Sequence, residues 1–402
     1  MIPKETLKEV IKSQREVLRQ IGSGTPREEK VRIEDSFALV ISGVRRCGKS
    51  TLLSQLLEKN KKGYYVNFED PRLDGFELPD FSRLEEVFKE VYGDNGIYFF
   101  DEIQNVEKWE KFVRFLTDKK QKVVITGSNA SLLSKELGTK LTGRHIQTEL
   151  FPFSYKEFLS MTEEKPSVKS FDEYSQKGGF PEYLKKENPL ILNELLSDVV
   201  IKDIAVRFGI KNTNMLNKLV LYLISNVGKE FSYNSLKKMF GVKSVQSIID
   251  YVSYLEDAYL IFTVPCFSYS YKQQQINRKK VYSIDNGFSN HNSVSFSKDR
   301  GKMLENAVFL CLRRKWKDIF YFRDQKECDF IVKEKGRITQ AMQACFELSD
   351  ENRDREIRGL IAALKKFSLK EGIILTHNQE DNFVVEGKKI VVMPAWKYLY
   401  EN

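Results

Sequence analysis

The chain has 402 residues, 41% hydrophobic, 30% charged and 12% aromatic, which excludes a disordered chain and exceeds one ordinary core, so two or three domains are expected. Lys and Arg total 65 against 56 Asp and Glu, and the net charge of +9 permits a polyanionic partner without demanding one. The five cysteines form no C-x-x-C pair and the three histidines (His145, His291, His377) are scattered, which argues against a zinc site and a disulfide framework.

Residues 1–21 carry charge throughout with no apolar h-region, and no run in the chain approaches the ~18 apolar residues of a membrane span. No signal peptide, no membrane association and a reducing cytoplasm are therefore expected. Leu7, Val10, Ile11, Leu18 and Ile21 recur at helical spacing and predict an amphipathic helix over 4–21. From Phe37 short apolar runs alternate with helical patterns. Strands are predicted at 37–41, 64–68, 97–100, 122–126 and 145–150, and helices at 49–59, 81–92 and 107–118. Such alternation implies βαβ units and a parallel sheet with helices on both faces. Residues 160–176 are polar and loosely patterned and read as a linker or exposed insertion. Gly178-Gly-Phe-Pro-Glu182 punctuates the chain. Helical patterns at 215–227, 232–240 and 244–258, then the apolar run Tyr259–Val264, resemble a winged helix. Beyond 300 the expected order is a helix at 302–315, three strands near 319–322, 328–333 and 339–346, a helix at 352–367 and strands near 372–376 and 390–393.

Gly43-Val44-Arg45-Arg46-Cys47-Gly48-Lys49-Ser50 fits G-x-x-x-x-G-K-[ST] in full, between an apolar strand and a helix, with Thr51 beside it. Glycines let the backbone fold round a phosphate, and the free N–H groups at a helix start attract the anion. Lys49 can reach β- and γ-phosphate oxygens, and Ser50 offers a hydroxyl to Mg²⁺. The strand ending Phe99-Phe-Asp101-Glu102 supplies Asp101 for the Mg²⁺ side and Glu102 to polarise the attacking water. Asn129 or Ser128, in Thr126-Gly-Ser-Asn129, is placed to orient that water, unless it only caps a helix. Arg144 follows Leu141-Thr-Gly143 and reads as an arginine finger acting on a neighbouring subunit, or as a surface arginine.

With Gly178-Gly-Phe-Pro181 added to these motifs, in this order and spacing, nearly the whole chain resembles the prokaryotic AAA+-type ATPases that carry a C-terminal domain of unknown function. The resemblance implies an AAA-like ATPase followed by a winged helix and a restriction-endonuclease-like core. The expected fold is thus α/β: a P-loop parallel sheet with helices on both faces, a helical and winged-helix part, and a C-terminal α/β nuclease-like domain. Expected boundaries are 1–155 for the ATPase with its N-terminal helix, 156–212 for a helical lid or linker, 213–298 for the winged helix and 299–402 for the nuclease-like domain. In the winged helix, Lys243 and Gln246 at the start of the third helix suit base edges or phosphates. Lys272, Arg278, Lys279 and Lys280 lie on an acid-free hairpin candidate over Tyr269–Tyr282 that suits a phosphate backbone. An active nuclease of the resembled type needs a helix Glu, a strand Asp, and an acid or Gln two residues before a Lys. Glu305, Asp329 and Gln343 match, but Cys345 stands at the lysine position, so this domain is expected to be inactive, and Glu305 and Asp329 are alternatively solvated surface acids. The expected function is Mg²⁺-dependent ATP hydrolysis driving a C-terminal module on double-stranded DNA, in a homo-oligomer. A nucleotide-gated protein-interaction switch is the alternative, and an ATP-dependent nuclease is disfavoured.

Overall fold

The computed structural model describes residues 1–22, 24–60, 62–128, 143–293 and 299–402. It divides into compact units at Met1–Phe151 and Pro152–Asn402.

In the first unit, β1 (Ala38–Ser42), β2 (Gly63–Asn67), β3 (Ile97–Asp101), β4 (Val123–Gly127) and β5 (His145–Glu149) form a parallel sheet in the order β2-β3-β4-β1-β5. β1 and β4 are buried at every position, as strands covered on both faces must be. Helices Lys49–Lys59, Asp80–Tyr92 and Trp109–Asp118 alternate with the strands. Helix Lys4–Ile21 turns Leu7, Val10 and Ile11 into the same core as Tyr64, Phe88 and Tyr98. That core is rich in rings: Phe81 stacks on Phe112 with centroids 4.3 Å apart and meets Phe76 edge-on at 5.0 Å. Each such buried ring contributes about 1.5–3 kcal/mol of transfer free energy. Because the strands are parallel, Ser42, Asn67, Asp101 and Gly127 all end on one edge of the sheet, the edge where open α/β sheets bind ligands.

In the second unit the expected linker over 160–176 is corrected. Helices Tyr155–Thr162 and Val168–Lys177 occupy it, opened by capping boxes at Ser154 and Ser167, and they bury Phe171 and Tyr174. At Gly178 (φ 72°) the chain turns so tightly that a Cβ would lie 2.0 Å from Asp285 Oδ1, while the Gly179 N–H donates to that carboxylate at 2.6 Å. Helices Thr213–Ser225, Tyr233–Phe240 and Val245–Asp257 accompany β6 (Glu230–Phe231), β7 (Ile261–Pro265) and β8 (Lys279–Ser283), which form a sheet in the order β6-β8-β7. The hairpin expected over 269–282 is also corrected. β7 pairs antiparallel with β8, and their connection holds a short helix, Tyr271–Ile276, capped by Ser270. After helix Arg300–Lys315 come β9 (Ile319–Arg323), β10 (Glu327–Glu334), β11 (Arg337–Ala344), β12 (Glu371–Thr376), β13 (Asp381–Val385) and β14 (Lys388–Pro394). They form a mixed sheet in the order β13-β14-β12-β11-β10-β9, with helix Asp350–Lys366 between β11 and β12. No helix among the described residues is long and apolar enough to cross a membrane.

Candidate functional site

The loop from Gly43 to Gly48 joins buried β1 to helix Lys49–Lys59. At Gly43 a Cβ would meet the Leu150 carbonyl oxygen at 2.1 Å, and Gly48 has φ 102° at the helix start, so both positions exclude a side chain. Val44 and Cys47 are buried and tie the loop down, the Cys47 N–H donating to Val44 O at 3.3 Å. Arg45 lies 3.1 Å from Glu69, and Arg46 adopts φ 63°. Lys49 is buried; its ammonium donates to the Gly43 and Val44 carbonyls at 3.1 and 3.2 Å and sits 3.5 Å from Glu102 Oε1.

Asp101 ends β3 fully buried and receives hydroxyl donors from three neighbouring elements: Tyr65 on β2 at 3.0 Å, Thr126 on β4, and Ser50 on the helix. Burial, with the Glu102 charge beside it, pushes the Asp101 carboxyl above the usual range. Burial and Asp101 push the Tyr65 phenol far up, so it stays a donor. Glu102 follows with φ 51°, a left-handed conformation that turns it out of the strand line. Its N–H donates to Thr126 Oγ1 at 3.0 Å and its carboxylate accepts from Gln104. Lys49, Ser50, Asp101 and Glu102 are therefore brought together. Ser128 is buried just past β4, and Asn129 lies outside the described residues. Arg144 is not part of this group: its carbonyl accepts from the Ala38 N–H at 3.0 Å, at the end of β1 opposite the loop, and its guanidinium pairs with Asp118.

Three contributors were not foreseen. Thr126 holds both Asp101 and the Glu102 backbone; a polar residue ending an apolar strand was its only signal. Tyr65 looks like any strand aromatic. Arg27 donates to the Cys47 and Phe151 carbonyls at 2.8 and 2.7 Å from an unpatterned segment.

The C-terminal residues form a second constellation. Glu305 and Asp329 are buried rather than solvated. Between them lies Lys280, expected on an exposed basic wing; that expectation is corrected, because Lys280 is 1% exposed. Lys280 and Tyr282, two residues apart on β8, both reach Glu305, and Lys280 also reaches Asp329. The Lys280 ammonium stands 2.7 Å from Asp329 Oδ1, 2.7 Å from Glu327 Oε1 and 3.1 Å from Glu305 Oε1. Lys302 donates to Glu305 Oε2 at 2.7 Å and Tyr282 to Oε1 at 2.8 Å. Gln343 accepts from the Asp329 N–H at 3.1 Å and donates to Glu356 at 2.5 Å. Burial alone pulls an ammonium down, but Asp329, Glu305 and Glu327 raise Lys280 well above its usual range. Burial lifts Asp329 to about 6 against the pull of Lys280. Burial also pushes the Cys345 thiol up to about 12, so it stays neutral. Lys335 and Arg337 are at the turn closing the β10–β11 hairpin, far along the strands from Asp329. A cleft of about 880 Å³ opens beside the cluster.

Of the other basic candidates, Lys243, Gln246, Lys272 and Arg278 are exposed, with Gln246 bonded to Asp250 at 2.8 Å and Arg278 lying 3.8 Å from Glu230. Lys279 is half-buried, 5.3 Å from the Tyr233 ring.

A family model described as an AAA domain matches residues 35–159, and one described as a domain of unknown function (DUF8612) matches 168–298. The chain is 36% identical to the uncharacterized protein MJ1544 of Methanocaldococcus jannaschii, over 99% of this chain and 96% of that one. It is 30% identical to an uncharacterized protein of Haemophilus influenzae, over 92% of this chain and 96% of the relative. Among solved structures, AMPPCP-bound DnaA from Aquifex aeolicus aligns with 62% of this chain and 88% of its own at 14% identity and a TM-score of 0.29, too slight a likeness to carry an argument. The strand-loop-helix round Lys49, its carboxylates on the next strand edge and the two full-length relatives lead to one conclusion: the chain belongs to the family of these two proteins, a P-loop ATPase family whose N-terminal part is an AAA domain.

Proposed function

We propose that the chain binds and hydrolyses ATP at the Gly43–Thr51 loop and drives a C-terminal module associated with DNA. The observation that carries the ATPase reading is the convergence of Lys49, Ser50, Asp101 and Glu102 on one sheet edge. Backbone N–H groups of the loop and helix start bind phosphate, and Lys49 is held ready by two carbonyls it would exchange for phosphate oxygens. The hydroxyl of Ser50 and the carboxylate of Asp101, hydrogen-bonded to each other, are a hard-oxygen donor pair that fits Mg²⁺. Mg²⁺, when bound, supplies charge neutralisation at the phosphates. Glu102 polarises the water, held by Gln104 and by the Thr126 hydroxyl under its backbone. Thr126 is thus a positioning residue, and Asn129, outside the described residues, is proposed from the sequence to orient the water.

Arg144 is proposed to act in trans, since in its own chain it lies at the opposite end of β1. Arg144→Ala should then lower turnover about 10³-fold or more with nucleotide affinity kept, and wild-type specific activity should rise with protein concentration. Turnover unchanged by the substitution would leave Arg144 as the surface partner of Asp118.

The winged-helix and nuclease-like readings of 213–298 and 299–402 rest on element order: helix, strand, two helices, then a strand pair, followed by helix, three antiparallel strands, helix and parallel strand. Exposed Lys243, Gln246, Lys272 and Arg278 support DNA contact. The Lys280 ammonium on three carboxylates supports a module that binds without cutting. Phosphate release from Mg-ATP, measured with and without duplex DNA, tests this reading. Stimulation by DNA is expected; hydrolysis indifferent to DNA would favour the protein-interaction switch.

A further inference from the structure

The connection between β7 and β8 carries an unusual surface. Tyr269, Tyr271 and Ile276 are 78%, 74% and 65% exposed, and three large apolar side chains bare within eight residues are grouped as at interaction sites rather than scattered singly. From Phe267 to Lys279 the sequence holds three cations, three glutamines and no acid. Tyr269 is not a loose side chain: it rests edge-on against Phe267 at 5.2 Å, and Phe267 in turn meets Phe367 at 4.9 Å. The ring is thereby seated on a packed base while most of its surface meets solvent, and the Gln274 side chain ties the loop to the Ser268 carbonyl at 2.6 Å. Beside the platform runs a groove of about 550 Å³, whose charged lining residues are Lys333, Arg337 and Lys366. None of these three enters an ion pair among the described residues, and the Lys366 ammonium sits 5.7 Å from the Tyr269 ring centroid.

From these observations we infer a binding site for single-stranded nucleic acid on the Phe267–Ile276 connection and the adjoining groove, with Tyr269 and Tyr271 as base-stacking platforms and Lys333, Arg337 and Lys366 along the phosphates. Aromatic faces beside unpaired cations match a ligand that is a polyanion with planar, exposed bases. A duplex hides its base faces in the stack and would use only the cations. An acidic peptide would leave the rings unsatisfied. The site deepens the nucleic-acid reading of the second unit by naming the strand state, and it is independent of the ATPase.

Fluorescence anisotropy on the full chain tests it, with a labelled oligothymidylate, a labelled duplex of equal length and polyglutamate as competitor. Oligothymidylate should bind, and Tyr269→Ala and Tyr271→Ala should each weaken it about tenfold, with Tyr269→Phe retaining affinity. Arg337→Gln and Lys366→Gln should each lower the salt slope by about 0.7. All these side chains are exposed or line an open groove, so circular dichroism should be unchanged. Affinity unmoved by either tyrosine substitution, or displacement by polyglutamate as readily as by unlabelled oligothymidylate, would overturn the site. Binding of duplex alone, lost on Lys243→Gln, would overturn it and leave the duplex reading standing. Binding of neither probe at low salt would end both.

Discussion

Glu102→Gln should lower ATP turnover by about 10²–10⁴-fold, the range for loss of a positioned general base, while nucleotide affinity stays near wild type. The substitution is nearly isosteric. Glu102 is buried and left-handed at the end of β3, its N–H held by Thr126 and its carboxylate by Gln104. A glutamine keeps the backbone bond and can still accept from Gln104, whose own Oε1 is buried without a partner among the described residues and gains a donor. What disappears is the negative charge that polarises water, together with the attraction across 3.5 Å to Lys49. Lys49→Ala should act on the other quantity. It removes the one ammonium that the loop carbonyls of Gly43 and Val44 hold over the anion position, so affinity should fall along with turnover. Phosphate release and fluorescent-nucleotide titration, run on both variants, separate the two effects. Full hydrolysis by both would move the chemistry away from this loop.

Much of the first unit was legible because its signals are local. An apolar run between turn residues makes a buried strand whatever lies elsewhere, and the glycines of a phosphate loop stand at fixed offsets within eight residues. Asp101 and Glu102 were legible for the same reason, as a polar ending on the strand Ile97–Asp101. Thr126 and Tyr65 were not, since their roles exist only once β2, β3 and β4 are side by side. The helix over Val168–Lys177 hid for a different reason. It buries only Phe171 and Tyr174 among its apolar positions, too few for a periodic signal, although Ser154-Tyr-Lys-Glu157 spelled out the capping box before its neighbour. Lys280 marks the limit of reading along the chain. In sequence it belongs to a basic run. In space its register on β8, opposite Val264 and Glu230, turns it away from Lys279 and into carboxylates 25 and 49 residues further on.

That placement makes Lys280→Met the substitution with the largest expected cost in stability, about 3–5 kcal/mol, the range for removing one partner of a buried ion pair. Glu305, Glu327 and Asp329 would then crowd together, with Lys302 paired to Glu305 and Arg323 to Glu327. The loss should depend on pH, with a definite sign. Burial already holds Asp329 up at about 6 with Lys280 present. Without the ammonium its pKa rises further, so the variant binds more protons when folded than unfolded and loses stability as pH climbs through and beyond 6. The wild-type lysine, raised well above its usual range, stays charged throughout and stabilises the ionised acids until strongly alkaline pH. Urea unfolding of both proteins at pH 5 and pH 8 should show the gap widening at the higher pH. A divalent cation distinguishes what the cluster is for. If the ammonium takes the place a metal would need, Mn²⁺ should raise the melting temperature of Lys280→Met and leave wild type unmoved by this cluster. A Mn²⁺ shift in wild type that Asp329→Asn abolishes would mean that lysine and metal share the site. The nuclease reading set aside on the strength of Cys345 would then return, with Lys280 as its cation.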